Sequence, residues 1–441
     1  MKRIDRKYCG QDRCRFLLPV AITEQESKAQ YHFRQLAFLS GKIKRTIVLP
    51  NVDSSHLGAC RKQPFDFYYG DEWLKKNSGH FNYITMQQFK QWLHERHNVK
   101  AIPTGQEIFL EIDLNFPHLS KAVNCFKDQF DFTHRPRSHF PIDDPETVSR
   151  RSGNFTEMFI NILKDETRQK EYLAQRLKDN SIVKNSKLNS ELDVIHLYYD
   201  RRFGYIEEPQ VEEPLTYHSR WSGIADSIAQ QLQPFVAVHW RMERLEPLSN
   251  LKPCAESLLK KLTTLQQQHQ DDNQVSYNDP IDDDYNQDDQ DDNNDDEKKK
   301  ALNVFLLTDY PHLLTSPLAK PESMSFKLSE LHQEHHEAVR YLYQHVNVTL
   351  TTLNHSNIPY QDLPSENWNL IPVDPLAKPS DKSILGIVDK LVAIRAQWFL
   401  FGEASVCGKD SSFTRRIRME RQQHYRAGDQ HIISPFDEFG L

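Results

Sequence analysis

Two short runs in the first fifty residues constrain the fold more than anything else in the chain. RFLLPVAI (15–22) and RTIVLP (45–50) are apolar at nearly every position after a leading arginine. A strand with one wet face alternates. A strand without alternation is buried on both faces, as in a parallel sheet covered by helices. Between the runs, Ala29, Phe33, Leu36, Ala37 and Leu39 fall close to helical spacing, and Gly41 is a natural helix stop. Strand, helix and strand in that order predict an α/β fold.

The same alternation returns after Leu215. Helical patterns at 222–233, 254–267, 327–345, 384–397 and 412–425 are interleaved with the strands PFVAVHW, NVFLLT, NVTLTTL and WFLF. In 441 residues this predicts two α/β domains of Rossmann-like type, 1–215 and 216–430, with a tail at 431–441. The stretch 51–215 is less regular, with scattered aromatics and prolines. It offers short helical patterns at 86–97, 157–164 and 171–178.

The net charge of −7 is misleading. Residues 271–297 hold 13 acidic side chains and no basic one, and Lys298, Lys299 and Lys300 follow, so this tract contributes −10 and the remainder is +3. The tract has almost no apolar content and is expected as a disordered insertion spanning 270–300. A body at +3 suits an anionic ligand and lacks the strong positive charge of a nucleic-acid binder. No run of about 20 apolar residues exists, so no membrane span is expected. The first ten residues lack the apolar centre of a signal peptide. None of the six cysteines stands in CxxC spacing, which argues against a zinc site, and their even number suits disulfides. Sequons at Asn154, Asn347 and Asn354 point toward a secretory compartment.

Four places have the residue types for chemistry. In VAVHWRMERLEP, an apolar strand runs into His239 and Arg241, two residues apart and so on one face. They stand at the strand's C-terminal end, where open α/β sheets bind ligands. A guanidinium there fits a phosphate, because its planar fork donates paired hydrogen bonds and stays charged. The other reading pairs Arg241 with Glu243 or Glu246 and leaves His239 in the core. In CGKDSSFTRRIRMER, Ser411, Ser412 and Phe413 open a helix whose first N–H groups can cradle a phosphate. An ordinary N-cap reads equally from the same residues, and Arg415, Arg416, Arg418 and Arg421 read as a solvated basic face. Asp309 ends the strand NVFLLT, placed to accept from a base or sugar hydroxyl, or simply to begin a turn. In TEQES (23–27), Glu24 or Glu26 at a strand-to-helix loop is a candidate general base, and Thr23 with Glu26 also matches a capping box. Two further patterns carry little. Asp282, Asp283 and Asp284 lie in the acidic tract, and His332, His335 and His336 read as a solvated helix face without the HExxH of a zinc site.

In this order the pieces resemble the GDP-fucose protein O-fucosyltransferase family. The segments that carry the resemblance are KRTIVLPNV, VAVHWRMERLE, NVFLLTD and VDKLVAIRAQWFLFGEASVCGKDSSFTRRIRMER. VHWRME is similar to the variant of many fungal members. The resemblance spans both ends of the chain, is thin between 66 and 215, and is absent from the acidic tract. It departs at the first helix, where the family's loop is glycine-rich and TEQES has none.

The resemblance implies a GT-B-like architecture, with two Rossmann-like domains and parallel sheets facing a central cleft. The N-terminal domain would be the acceptor side and the C-terminal domain the nucleotide-sugar side. It implies inverting transfer of fucose from GDP-fucose to a protein or glycan hydroxyl, with no metal and no cofactor. Arg241 would neutralise the departing GDP and His239 would support the nucleotide. Asp309 would recognise the nucleoside, and Ser411, Ser412 and Phe413 would hold phosphates and guanosine. Glu24 or Glu26 would be the base. Two other outcomes stay open: a catalytically degenerate member that binds glycan or protein, and a transferase for another nucleotide sugar. Relatives work in the secretory lumen, the endoplasmic reticulum or Golgi, and a pairing of Cys254 with Cys407 near the nucleotide motifs fits that setting.

Overall fold

The structure is a computed structural model. It describes residues 1–111, 132–134, 138–141, 192–199, 206–275, 301–314, 326–353, 358–373 and 381–441, with 130, 316 and 318 as isolated residues. The expected helices at 157–164 and 171–178, the sequons at Asn154 and Asn354, the three aspartates 282–284 and the acidic tract beyond Val275 lie outside the described residues. The chain divides into two compact units, Met1–Ser219 and Arg220–Leu441.

In the first unit the strands are β1 (Phe16–Ile22), β2 (Thr46–Val48), β3 (Asn51–Asp53), β4 (His56–Gly58), β5 (Tyr83–Ile84), β6 (Thr104–Glu111), β7 (Thr133–His134), β8 (Ser138–Pro141) and β9 (Val194–Tyr199). They form a sheet of order β5-β2-β1-β9-β6-β7, with β8 also on β6, and a separate antiparallel β3–β4 hairpin. Every pairing within the larger sheet is parallel. The unbroken apolar run in β1 is explained by its place between β2 and β9, where both faces are covered.

The described helices here include α1 (Lys2–Cys9), α2 (Glu26–Lys42), α3 (Glu72–Lys76) and α4 (Met86–Asn98), and a single turn at Pro209–Glu212. Thr85 and Gln88 form a capping box at the start of α4. Gly41 is not the stop expected of it. It lies inside α2, where an added Cβ would meet the His80 carbonyl oxygen at 1.9 Å, so its smallness serves close packing. Asp5 and Arg96 form a buried pair in which Arg96 Nη1 donates to both carboxylate oxygens at 3.0 Å, and Trp92 donates to the same carboxylate at 2.7 Å. This ties α1 to α4.

The second unit opens with α5 (Ser219–Leu232). Its strands are β10 (Phe235–Trp240), β11 (Asn303–Thr308), β12 (Leu313–Leu314), β13 (Val348–Thr352), β14 (Ile358–Pro359), β15 (Trp368–Pro372), β16 (Trp398–Gly402) and β17 (Asp437–Phe439). Its remaining helices are α6 (Leu251–Val275), α7 (Gln333–His345), α8 (Ser383–Ile394) and α9 (Ser412–Arg426). The main sheet runs β15-β13-β11-β10-β16-β17, parallel throughout, and β12 pairs with β14 apart from it. Within the segment read as a tail, β17 is an edge strand of this sheet.

Helices cover both faces. Val236, Val238 and Trp240 of β10 share a core with Leu258 of α6 and Leu342 of α7. His239 faces the other way, toward α9. The chain steps from β10 outward through β11, β13 and β15, then returns to β16 on the opposite side of β10. Strand order therefore reverses between β10 and β16. At such a reversal the flanking connections leave on opposite faces and open a crevice at the strands' C-terminal ends. The chain is thus an α/β protein with two parallel sheets.

Candidate functional site

The three loops that follow β10, β11 and β16 meet at the strands' C-terminal ends, joined by the bonds of Met242 N–H to Asp309 and of Lys409 N–H to the Arg241 carbonyl, and most of the sequence candidates lie on them. His239 is the penultimate residue of β10, paired in register with Leu307 of β11 and Phe401 of β16. Its Nδ1 is 2.8 Å from the Thr414 hydroxyl, and its ring lies 5.0 Å from that of Phe413. Burial first, and then the Arg241 cation, push its pKa down to about 3, so the imidazole is neutral. Nε2 makes no hydrogen bond among the described residues. The result is a fixed neutral ring between the central strand and the first turn of α9.

Arg241 follows the last strand residue and pairs with Glu243. Its Nε is 4.0 Å from Asp309 Oδ2. Asp309 is buried, and its carboxylate accepts the N–H of Met242 at 3.1 Å and of Glu243 at 3.4 Å. Asp309 therefore fixes the backbone of the loop that carries Arg241. Burial raises its pKa to about 6 against the lowering effect of those N–H groups and Arg241. Thr308 helps from the same strand end, donating to the Trp240 carbonyl at 3.1 Å.

The loop from β16 to α9 is tightly folded. The carbonyl of Glu403 accepts from Val406, Cys407 and Gly408. Gly402 and Gly408 touch through their backbones: a Cβ on the first would meet the Cys407 oxygen at 2.6 Å, and one on the second the Gly402 oxygen at 2.7 Å. Cys407 is disulfide-bonded to Cys254 at the start of α6, the pairing expected above, and its carbonyl accepts from the Trp240 indole at 3.0 Å. Ser411 is the N-cap of α9 and accepts from the N–H of Phe413 at 3.0 Å and Thr414 at 3.3 Å. The capping reading of Ser411 is thus realised, and its hydroxyl retains a proton to donate. Ser412 and Phe413 are half-buried beside it, with the buried Lys390 ammonium 5.2 Å from the Phe413 ring centre.

Glu24 and Glu26 stand in the first unit, at the end of β1. The capping box of Thr23 and Glu26 does not form. The N-cap is Gln25, without a side-chain cap, because the helix begins at Glu26 itself. Glu26 takes a positive φ of 34° and its N–H bonds the Ser55 carbonyl at 2.7 Å. The turn that glycine would make easily is made here by a glutamate held in place. Its carboxylate accepts from Ser27 at 2.5 Å, Gln30 at 2.8 Å and the Tyr217 hydroxyl. Glu24 lies 3.7 Å from Lys28.

Several working residues were missed or misread in the sequence. Lys409 Nζ donates to Glu243 at 3.0 Å, and its N–H bonds the Arg241 carbonyl at 3.2 Å. His335 and His336 are buried and not solvated as expected. His335 Nε2 lies 3.3 Å from the Met242 carbonyl, supporting the Arg241 loop, and His336 Nδ1 lies 2.7 Å from the Tyr310 hydroxyl. Among the described residues no group of three or more His, Cys, Asp or Glu is arranged to hold a metal ion. Arg421 is not part of a solvated face. It is fully buried and donates to six backbone carbonyls, those of Ala393, Ile394, Ala396, Gln397, Ser434 and Pro435. Arg418 stacks between Phe401 and Phe436, and Arg416 pairs with Glu420.

No family model matches the chain, and no curated protein matches it. Solved structures do. POFUT1 in complex with GDP-fucose is 12% identical, with 97% of this chain and 98% of that chain covered, at a TM-score of 0.42. NodZ alpha-1,6-fucosyltransferase co-crystallized with GDP is 11% identical, with 92% of each chain covered, at a TM-score of 0.33. Fucosyltransferase NodZ from Bradyrhizobium is 10% identical over the same shares, also at 0.33. Likeness at this level carries no argument about function, and none is drawn from it.

Proposed function

We propose that the protein is a glycosyltransferase that moves fucose from GDP-fucose to a protein or glycan hydroxyl, with inversion and without a metal. The observation that carries this reading is the placement of Arg241. A partly exposed guanidinium stands at the C-terminal end of the central strand, at the point of strand reversal, with the start of α9 beside it on the next strand's loop. In this reading the acceptor hydroxyl attacks the anomeric carbon and the bond to the β-phosphate oxygen breaks. Charge grows on the departing GDP, and Arg241, already oriented, neutralises it. His239, Ser411, Ser412 and Phe413 line the nucleotide side, and Asp309 sets the loop. The acceptor's proton goes to Glu24 or Glu26.

One observation favours a second reading, a family member that binds glycan or protein without turnover. The Glu26 carboxylate accepts from Ser27, Gln30 and Tyr217, so both oxygens are already engaged by the protein's own donors. The secretory lumen fits either reading, because Cys9, Cys14, Cys60, Cys254 and Cys407 are all disulfide-bonded. Among the described residues no helix is long and apolar enough to cross a membrane.

A panel of nucleotide sugars tests the proposal. GDP-fucose at a hundredfold excess over its Kd should stabilise the native state by about 2.7 kcal/mol, read as a rise in melting temperature. Arg241→Ala should lower turnover by about a hundredfold or more with the melting temperature of the free protein kept. A panel in which no GDP- or UDP-sugar shifts the melting curve overturns the reading. Binding of GDP-fucose without transfer to any acceptor selects the second one.

A further inference from the structure

The Arg241 guanidinium and the Lys409 ammonium share one carboxylate. Glu243 accepts from both, and its side chain is only 6% exposed, against 23% for Arg241 and 37% for Lys409. The acid therefore sits behind and the two cations in front, open to solvent. They come from loops that follow adjacent parallel strands, joined directly by the bond from the Lys409 N–H to the Arg241 carbonyl. The other acid, Asp309, has both oxygens on the N–H groups of Met242 and Glu243.

Charge decides what such an arrangement can accept. Arg241 with Glu243 and Asp309 alone would carry −1, a surface that repels phosphate. Lys409 brings the cluster to zero and places its second cation on the open side. An ammonium has three N–H donors and a guanidinium five. The bonds to Glu243 leave two on Lys409 and most of those on Arg241 for a ligand. Holding the lysine on Glu243 beforehand also removes much of the entropy otherwise lost when a long side chain is ordered by a ligand.

We propose that Lys409 is the second cation of a diphosphate site, taking one phosphoryl group while Arg241 takes the other. This rests on the reading of the second unit as the nucleotide-sugar side and adds a residue to it. Glu243 is the positioning residue that keeps both cations at the mouth of the crevice between β10 and β16.

The test uses inorganic pyrophosphate, GDP and guanosine in calorimetric titrations of the full chain. Lys409→Met should weaken pyrophosphate and GDP at least tenfold and leave guanosine within twofold of wild type. Lys409→Arg should restore most of the loss. Because the side chain is partly exposed, the melting temperature of Lys409→Met should stay within a few degrees of wild type. Unchanged pyrophosphate affinity in Lys409→Met overturns the inference, as does a wild type that binds no pyrophosphate. Equal losses for guanosine and pyrophosphate would mark a merely structural role and also overturn it. A wild type that binds pyrophosphate through both cations yet ignores GDP-fucose would sink the donor reading and leave the cation pair standing.

Discussion

The neutral state of His239 can be tested directly, and its size can be worked out. Burial, with the Arg241 charge nearby, holds the folded pKa at about 3, against about 6.5 in an unfolded chain. Between those values the unfolded chain binds a proton that the native state refuses. The resulting stability is present above pH 6.5 and is lost as pH falls toward 3. From pH 7 to pH 5 the loss from this one ring is about 2 kcal/mol. Asp309 works the other way. Its folded pKa, about 6, lies above the ordinary carboxylate value, so the same drop in pH returns about 1 kcal/mol. The pH profile of the whole protein therefore does not isolate either group.

His239→Asn does isolate the ring. It keeps a polar atom near the position of Nδ1, within reach of the Thr414 hydroxyl, and cannot titrate. The groups facing the ring are Arg241, Thr414 and Phe413, with the Lys390 ammonium beyond the Phe413 ring. Asp309, which titrates in the same range, is present in both proteins, so its contribution cancels in the comparison. In a spectrum of labelled imidazoles, the signal missing from His239→Asn should keep its neutral position down to pH 4.5. In urea unfolding, the variant should lose about 2 kcal/mol less than wild type between pH 7 and 5. A His239 signal that moves to its protonated position near pH 6.5 would refute the reasoning, and so would equal losses in the two proteins.

Two further outcomes follow from packing. Arg421→Met removes the guanidinium that donates to six backbone carbonyls, four of them in buried bonds, and should cost at least about 3 kcal/mol. In a unit of this size that is roughly a 10 °C fall in melting temperature, and Arg421→Lys should recover less than half because an ammonium cannot spread over that many acceptors. Gly408→Ala drives a Cβ against the Gly402 carbonyl. It should cost about 1–3 kcal/mol and weaken pyrophosphate binding in calorimetry, because the displaced loop carries Lys409 and Ser411.

Much of the fold was legible because burial on both faces leaves a mark on composition. FLLPVAI, FVAVHW and WFLFG are buried along nearly their whole length, and each stood out as an apolar run. Helices with one polar face, such as α4 and α9, were legible from period. The misreadings of His335, His336 and Arg421 share one physical cause: a polar residue type is not always a solvated one. HQEHHEAVR reads as a wet helix, yet His335 and His336 are buried because each finds partners: His335 accepts the His332 N–H and reaches the Met242 carbonyl, and His336 meets the Tyr310 hydroxyl. Arg421 follows three other arginines and reads as part of their face, yet it lies over the C-terminal end of α8, where it donates to the carbonyls of Ala393 and Ile394 at the negative end of the helix. Lys409 gives no periodic signal at all. Its partner, Glu243, is 166 residues away, and only the strand order that places β16 beside β10 brings them together.

The two acids near Arg241 explain why this cluster differs from an ordinary surface ion pair. An exposed Arg–Glu pair is worth little and shifts readily. Here Asp309 holds the backbone of Met242 and Glu243, His335 holds the Met242 carbonyl, and the Trp240 indole holds Cys407, itself tied to Cys254. Each bond fixes backbone beside a cation and leaves the side-chain end free. Those ends, the Arg241 guanidinium and the Lys409 ammonium, remain partly exposed and meet on Glu243. Rigid roots with solvated cationic ends are what a site needs when it must meet an anion without reorganising. An ion pair that served stability alone would gain nothing from five separate anchors on its flanking backbone.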